Sequence, residues 1–165
     1  MCDSILIQIA DQQETLVLEG ACGESCLGEA VRSILAEAGV VEAQISLAVV
    51  DNPTIHVLNR KYLDHDYPTD VLSFVLERTE DWLEGEVIVS ADTAVATAGQ
   101  YGWTPEEELL LYVIHGTLHL VGYDDGTDTD RAEMRSREAA CLARFGLKPR
   151  WRADEDSVPG GNKAP

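Results

Sequence analysis

Two histidines four residues apart, His115 and His119, have the types and spacing best suited to chemistry in this chain. Residues four apart lie on one face of an α-helix, so both imidazoles can reach a single metal ion. Gly122 follows as a helix stop, and the acids Asp124 and Asp125 come directly after the turn. Two imidazoles and one carboxylate form a catalytic zinc set that leaves a coordination position open. The segment therefore predicts a metal centre held by His115, His119 and Asp125.

The neighbouring acids leave the identity of the third ligand open. Position favours Asp125, while the chemistry of Asp124 would serve as well. Asp128 and Asp130 are better explained as caps of the next helix, where an aspartate accepts bonds from free amide hydrogens. The other two histidines, His56 and His65, are more simply interpreted as solvated. His65 lies in a loop and could instead face the site.

The helix that carries the histidine pair is predicted to begin near residue 104. Thr104 is suited to an N-cap, Pro105 to the first helical position, and Glu107 to a capping box. Residues 109–114 are apolar on every face, which predicts a buried helix. Buried histidines need polar partners, and a metal ion would supply one for each ring. The alternative is a pair of core histidines bonded to backbone carbonyls.

Three sequence blocks share a pattern with a known family. The first is the histidine segment, residues 115–124. The second, residues 59–74, contains Asn-x-x-Tyr and then Asp-x-Pro-Thr-Asp-Val-Leu-Ser-Phe, and the third, residues 85–90, reads Gly-Glu-Val-Ile-Val-Ser. Together they resemble the YbeY family of metal-dependent endoribonucleases, over about residues 4–148.

This resemblance implies a metal-dependent, single-strand-specific endoribonuclease in 16S rRNA 3′-end maturation and ribosome biogenesis. It implies one zinc ion, or another divalent ion, at the predicted centre. Asp70, Ser73 and Asp124 would be the catalytic side chains, with Thr69 also lining the substrate cleft and Asp124 orienting a ligand. The implied partners are ribosomal RNA, the small ribosomal subunit and its proteins. The oligomeric state is left open.

Two positions depart from the family pattern. Asp125 stands where the family has a third histidine ligand, and Leu63 stands where it usually has an arginine that handles RNA. Aspartate is an accepted zinc ligand, but its charge makes the metal a weaker Lewis acid. Arg60 and Lys61 are near Leu63 in sequence, but on a helix they point elsewhere.

Two other functions compete with the nuclease. A metallopeptidase of the His-Glu-x-x-His type needs a glutamate after the first histidine, and Gly116 stands there instead. Gly116 indicates either close approach of another backbone or substrate, or simple packing. The second competitor is a non-catalytic ribosome-associated factor in which Leu63 and Asp125 have eroded the chemistry.

Composition indicates one globular domain, predicted over residues 1–150, followed by a disordered acidic tail at 151–165. The hydrophobic fraction of 45% is ordinary for a globular protein. No stretch approaches the ~20 apolar residues that cross a bilayer, and residues 1–4 lack a signal-peptide pattern, so we expect a cytoplasmic protein. Four scattered cysteines are interpreted as reduced thiols: Cys2, Cys22, Cys26 and Cys141.

The net charge of −18, from 30 acids and 12 bases, opposes extensive contact with RNA. Basic residues gather after residue 130, but Arg135 and Arg137 are interpreted as partners of Glu133 and Glu138 on a solvated face. Any contact with RNA is therefore expected to be local, centred on the metal and sensitive to salt.

Apolar periodicity predicts the elements that position the site. Strands are expected at residues 5–10, 16–18, 45–50, 71–76 and 86–89, with a polar loop at 77–85. Helices are expected at residues 25–38, 52–59 and 91–100, from residue 105 to the stop at Gly122, and at about 130–145. Since these elements are interleaved without regular βαβ repeats, the predicted class is α+β, with about five helices packed on a small mixed sheet.

Overall fold

The computed structural model describes residues 4–18 and 24–149, in which helices and strands are interleaved. The strands are β1 (Ser4–Gln12), β2 (Glu42–Val50), β3 (Val71–Arg78) and β4 (Leu83–Ser90). The α-helices are α1 (Glu24–Glu37), α2 (Asn52–Leu63), α3 (Ala91–Ala98), α4 (Pro105–Leu120) and α5 (Asp128–Ala143). The predicted α+β class is confirmed. The tail at 151–165 and two of the cysteines, Cys2 and Cys22, lie outside the described residues.

The sheet is mixed, with strand order β1-β2-β4-β3. β1 pairs in parallel with β2, β2 pairs in parallel with β4, and β3 pairs antiparallel with β4 at one edge. The polar loop expected at 77–85 is shorter, because the β3–β4 ladder continues to the pair Arg78–Leu83. Leu83, which is 1% exposed, favours this extension because its side chain is buried in the core.

The two faces of the sheet carry separate apolar clusters. Val71 and Val87 belong to the larger cluster, which also contains the buried apolar side chains of α4. Leu72 and Ile88 follow them in each strand and belong to a smaller cluster with Ile55 of α2. Because successive strand residues point to opposite faces, α4 and α2 lie on opposite sides of the sheet. The helix that carries His115 and His119 is therefore on the side with the larger core.

Helix α4 is buried along its apolar run, as its sequence predicts. Its capping box is present: the Thr104 hydroxyl accepts from the Glu107 amide at 3.2 Å, and the Glu107 carboxylate accepts from the Thr104 amide at 3.0 Å. Pro105 occupies the first turn, where its missing N–H would have no partner in the helix. The cap sets the start of the helix, and so the face on which the histidines lie.

Two local predictions are wrong. Residues 16–18 form no strand, because the Gln13 side chain bonds both the amide and the carbonyl of Leu16, at 2.8 and 2.7 Å. Asp128 and Asp130 do not cap α5; the cap is Thr127, whose hydroxyl accepts from the Asp130 amide at 3.0 Å.

Within residues 4–18 and 24–149, no helix is long and apolar enough to cross a membrane.

Candidate metal centre

The end of α4 turns the chain back on itself. Gly122 has a φ of 108°, a conformation that favours glycine, and its amide donates to the His119 carbonyl at 3.1 Å. The next amide, of Tyr123, donates to the Leu118 carbonyl at 3.0 Å. These bonds close the helix and reverse the chain. The reversal brings Asp125 beside the two histidines.

Three side chains converge at this turn. His115 Nε2 lies 3.1 Å from His119 Nε2 and 3.5 Å from Asp125 Oδ2. His119 Nε2 lies 3.9 Å from Asp125 Oδ1. The three side chains are between 16% and 20% exposed, so the group faces solvent while its walls are buried. In the described part of the chain, these residues form a group that could hold a metal ion.

The donor set fits a tetrahedral zinc ion. Ligand atoms at the usual 2.0–2.2 Å from such an ion lie about 3.3–3.6 Å from one another. The two imidazole nitrogens are 3.1 Å apart, and the Asp125 carboxylate lies 3.5 Å from His115 through Oδ2 and 3.9 Å from His119 through Oδ1, which is close to that range. Three protein ligands also leave the fourth position open, as catalytic zinc sites do.

Glu138 of α5 is the polar partner of His115. Its Oε2 lies 2.5 Å from His115 Nδ1, and its side chain is only 3% exposed. A carboxylate in that place accepts the Nδ1 proton and leaves Nε2 free to bind a metal. The partner of the His115 ring is therefore a carboxylate, and not a backbone carbonyl as in the alternative of two core histidines. It also corrects the prediction that Glu138 lies on a solvated face, because that face of α5 packs against α4.

The surroundings of His119 favour its neutral form. Burial lowers the pKa of its imidazole below the usual value, and the adjacent His115 ring lowers it further. Neutral imidazole is the form that binds metal ions, so this ring is available as a ligand at neutral pH.

Two side chains hold the loop that carries Asp125. The Asp124 carboxylate accepts from the Asp125 amide at 2.8 Å, and Arg131 of α5 donates to the Asp125 carbonyl at 3.3 Å. Asp124 itself is exposed and is not part of the ligand group. The geometry therefore groups Asp125, rather than Asp124, with the two histidines.

Gly116 faces the sheet. A Cβ at this position would lie 2.8 Å from Val87 Cγ1 and 2.9 Å from Val71 Cγ2, distances that real Cβ atoms do not adopt. Close helix–sheet packing is therefore its role. The glutamate of a His-Glu-x-x-His peptidase is absent here, and a larger side chain at this position would meet the same two valines.

The remaining predicted site residues lie on and before β3. The Thr69 hydroxyl donates to the Asp70 carboxylate at 3.3 Å, and the Asp70 carbonyl accepts from the Ser90 amide at 3.0 Å. Ser73 pairs with Val87 and shares the sheet face that packs against α4. The ligand group does not include Asp70.

Asp70 nevertheless lies on the α4 side of the sheet. Burial is the main cause that raises the pKa of Tyr112 in α4, with Glu108 second, and the charge of Asp70 adds to it.

The other histidines have separate partners. His56 Nε2 lies 2.9 Å from Asp66 Oδ1, and His65 Nδ1 lies 3.2 Å from the Tyr67 hydroxyl.

Sequence reasoning missed the support that α5 gives to the centre. Arg131, Arg135 and Glu138 are spaced as i, i+4 and i+7, so they lie on one face of the helix. Arg135 Nη1 lies 3.8 Å from the second carboxylate oxygen of Glu138. Arg137, on another face, approaches Glu37 of α1 at 3.8 Å rather than the expected glutamates. The spacing of these three residues could have indicated a shared face, but alternating Arg and Glu is also typical of an exposed helix.

Substitutions of Asp125 and Asp124 test which of the two carboxylates serves as the third ligand. Asp125→Ala is expected to weaken zinc binding by more than about 100-fold, since even partners outside the ligand set contribute about 10–100-fold. Asp125→His is expected to retain zinc affinity, because imidazole is an equally good zinc donor. Asp124→Ala keeps all three ligands and should bind within about tenfold of the unmodified protein. Competition with a chromophoric chelator measures the three affinities. A loss in Asp124→Ala without one in Asp125→Ala would make Asp124 the ligand.

The comparisons with known proteins point to one family. The family model described as Endoribonuclease YbeY matches residues 8–146. An endoribonuclease YbeY from Rhodopirellula baltica is 42% identical over 144 residues, covering 81% of this chain and 74% of that protein. One from Moorella thermoacetica is 42% identical over 136 residues, covering 75% of this chain and 87% of that protein.

A solved structure shares the fold. The solution structure of a protein from Thermotoga maritima superposes with a TM-score of 0.57 at 28% sequence identity. The superposition covers 96% of this chain and 99% of that protein. The sequence and structure comparisons therefore agree over most of the chain.

Proposed function

The chain belongs to the YbeY family of endoribonucleases, and we propose that it is a metal-dependent enzyme that cleaves single-stranded RNA. We propose 16S rRNA 3′-end maturation in the cytoplasm as its role, with the small ribosomal subunit and its proteins as partners. The single observation that carries this proposal is the convergence of His115, His119 and Asp125 on one point at the end of α4.

These three residues would hold Zn²⁺ or another divalent ion. When bound, the ion would supply Lewis-acid chemistry for phosphodiester cleavage. His115 and His119 would act as neutral nitrogen ligands, and Asp125 would add one carboxylate charge. Asp124 would keep the Asp125 backbone in place through the bond to its amide.

The substrate cleft is proposed to lie between the centre and the start of β3. Ser73 and Asp70 would face the RNA there as the remaining catalytic side chains, with Thr69 holding the Asp70 carboxylate. The folded domain is proposed to span residues 1–150, with 151–165 as a separate tail. The net charge of −18 opposes extensive contact with RNA, so we expect the contact to be local, centred on the metal and sensitive to salt.

Removal of the metal is expected to stop RNA cleavage. Protein stripped with a chelator should leave a single-stranded rRNA fragment intact, and stoichiometric Zn²⁺ or Mn²⁺ should restore cleavage at the same bonds. Gel mapping of labelled fragments measures both. A double-stranded fragment of the same sequence serves as the substrate control and should resist cleavage. Equal cleavage by stripped and reloaded protein would contradict metal dependence.

One observation favours a second candidate, a ribosome-associated factor that cleaves nothing. Leu63, at the family's arginine position, packs against the smaller apolar cluster on the face of the sheet opposite α4. Arg60 and Lys61 are exposed on the same helix. The hydrogen bond with His56 is the main cause that lowers the pKa of Asp66, and the charge of Arg60 lowers it further. A fully metal-loaded protein that binds small-subunit particles without cutting rRNA would identify this factor.

A further inference from the structure

The face of α5 that meets α4 carries charged side chains beside the buried Met134, close to the proposed metal centre. Arg131 donates to the carbonyl of Asp125, and Glu138 meets the ring of His115. Arg135 lies between them in the helix and approaches Glu138. One face of one helix therefore touches the backbone of one ligand and the side chain of another.

We propose that Glu138 is a positioning residue, which holds His115 in the tautomer and ring orientation that metal binding requires. This inference rests on the metal centre proposed above. The carboxylate accepts the Nδ1 proton of His115, so the Nε2 lone pair points to His119 and Asp125. A hydrogen-bonded carboxylate also raises the basicity of a ligand imidazole, which strengthens its bond to the metal.

Burial of Glu138 supports this role over a merely structural one. The residue is 2% exposed, and a buried carboxylate is costly unless its oxygens are paired. Oε2 is paired with His115 at 2.5 Å, and Oε1 lies 3.8 Å from Arg135 Nη1. An apolar residue would pack between α4 and α5 without that cost. The carboxylate is explained by the ring that it contacts.

Zinc affinity of the full chain tests the inference without relying on RNA cleavage. Glu138→Ala is expected to lower the affinity about 10–100-fold, and Glu138→Gln, which keeps an acceptor oxygen but no charge, to lower it less. The ligand-field absorption of Co²⁺-loaded protein should shift in both variants, because the geometry at His115 changes. Thermal unfolding of the metal-free variants reports any general loss of stability separately.

Glu108→Gln is the matched control. Glu108 is also a glutamate of the core, at 0% exposed, but it lies in the first turns of α4, away from the ligand group. This control is expected to change thermal stability and to leave zinc affinity and the Co²⁺ spectrum unchanged. If Glu138→Ala does not fold, the zinc affinity and Co²⁺ spectrum of Glu138→Gln alone test the inference.

The outcomes separate the inference from the proposed function. Unmodified protein that binds zinc, together with weaker binding in the Glu138 variants but not in Glu108→Gln, supports the inference. Zinc binding that is equal in the unmodified protein and both Glu138 variants overturns it and leaves the metal centre intact. Unmodified protein that binds no zinc, Co²⁺ or Mn²⁺ overturns the centre and the inference together.

Discussion

Replacement of His119 by alanine is expected to abolish zinc binding and, with it, RNA cleavage. The imidazole supplies one of three ligand atoms, and its Nε2 lies 3.1 Å from that of His115. Two remaining ligands cannot hold a catalytic zinc ion in a three-ligand site. We expect the zinc affinity to fall by more than about 100-fold, beyond the effect of losing a supporting partner. Metal analysis of purified protein after dialysis measures the retained zinc.

His56→Ala is the control for this substitution. It also removes a histidine from a helix, but His56 bonds Asp66 and lies outside the ligand group. Its zinc content should equal that of the unmodified protein. A His119→Ala protein that retains one zinc per chain would remove His119 from the centre.

Replacement of Gly116 by alanine is expected to destabilise the fold by about 1–3 kcal/mol, as overpacking of a core does. The new Cβ would lie within 2.9 Å of methyl groups of Val71 and Val87, both buried in the sheet. Valine side chains have few alternative rotamers, so the helix and sheet must move apart. That movement displaces His115 and His119 as well. Thermal unfolding should show a lower Tm, by about 2–4 °C per kcal/mol for a domain of this size.

Gly99→Ala is the matched control for the glycine substitution. Gly99 has a φ of −61°, and a Cβ there would meet nothing within 4 Å. Alanine at such a position is expected to raise stability slightly, by about 0.4–1 kcal/mol, by restricting the unfolded chain. An equal Tm for Gly116→Ala and the unmodified protein would show that α4 and the sheet are less closely packed than the distances indicate.

The core of the site could be predicted from the sequence because its signals are local. The cap at Thr104, the four-residue spacing of His115 and His119, and the stop at Gly122 all lie within one helix and its ends. Local hydrogen bonds and helix periodicity determine these features. Asp125 follows within one turn, so its approach to the histidines was also predictable.

The support of the site could not be predicted, because it comes from a separate helix. Glu138 is 23 positions from His115 in the chain, and only the packing of α5 on α4 brings them together. A charged residue between other charged residues is usually solvated. The strand order was equally hidden, since the pairing of β2 with β4 depends on contacts between distant segments. The absence of a strand at 16–18 depends on a side-chain bond from Gln13.

Cleavage of a single-stranded fragment from the 3′ end of precursor 16S rRNA tests the central claim most directly. Zinc-loaded protein and an identically prepared His119→Ala protein are compared on the same labelled RNA. We expect discrete cuts by the unmodified protein and none by the variant, which would show that the metal centre carries the nuclease activity. Equal cleavage by the two proteins, or none by either when the unmodified protein is fully loaded, would contradict the account.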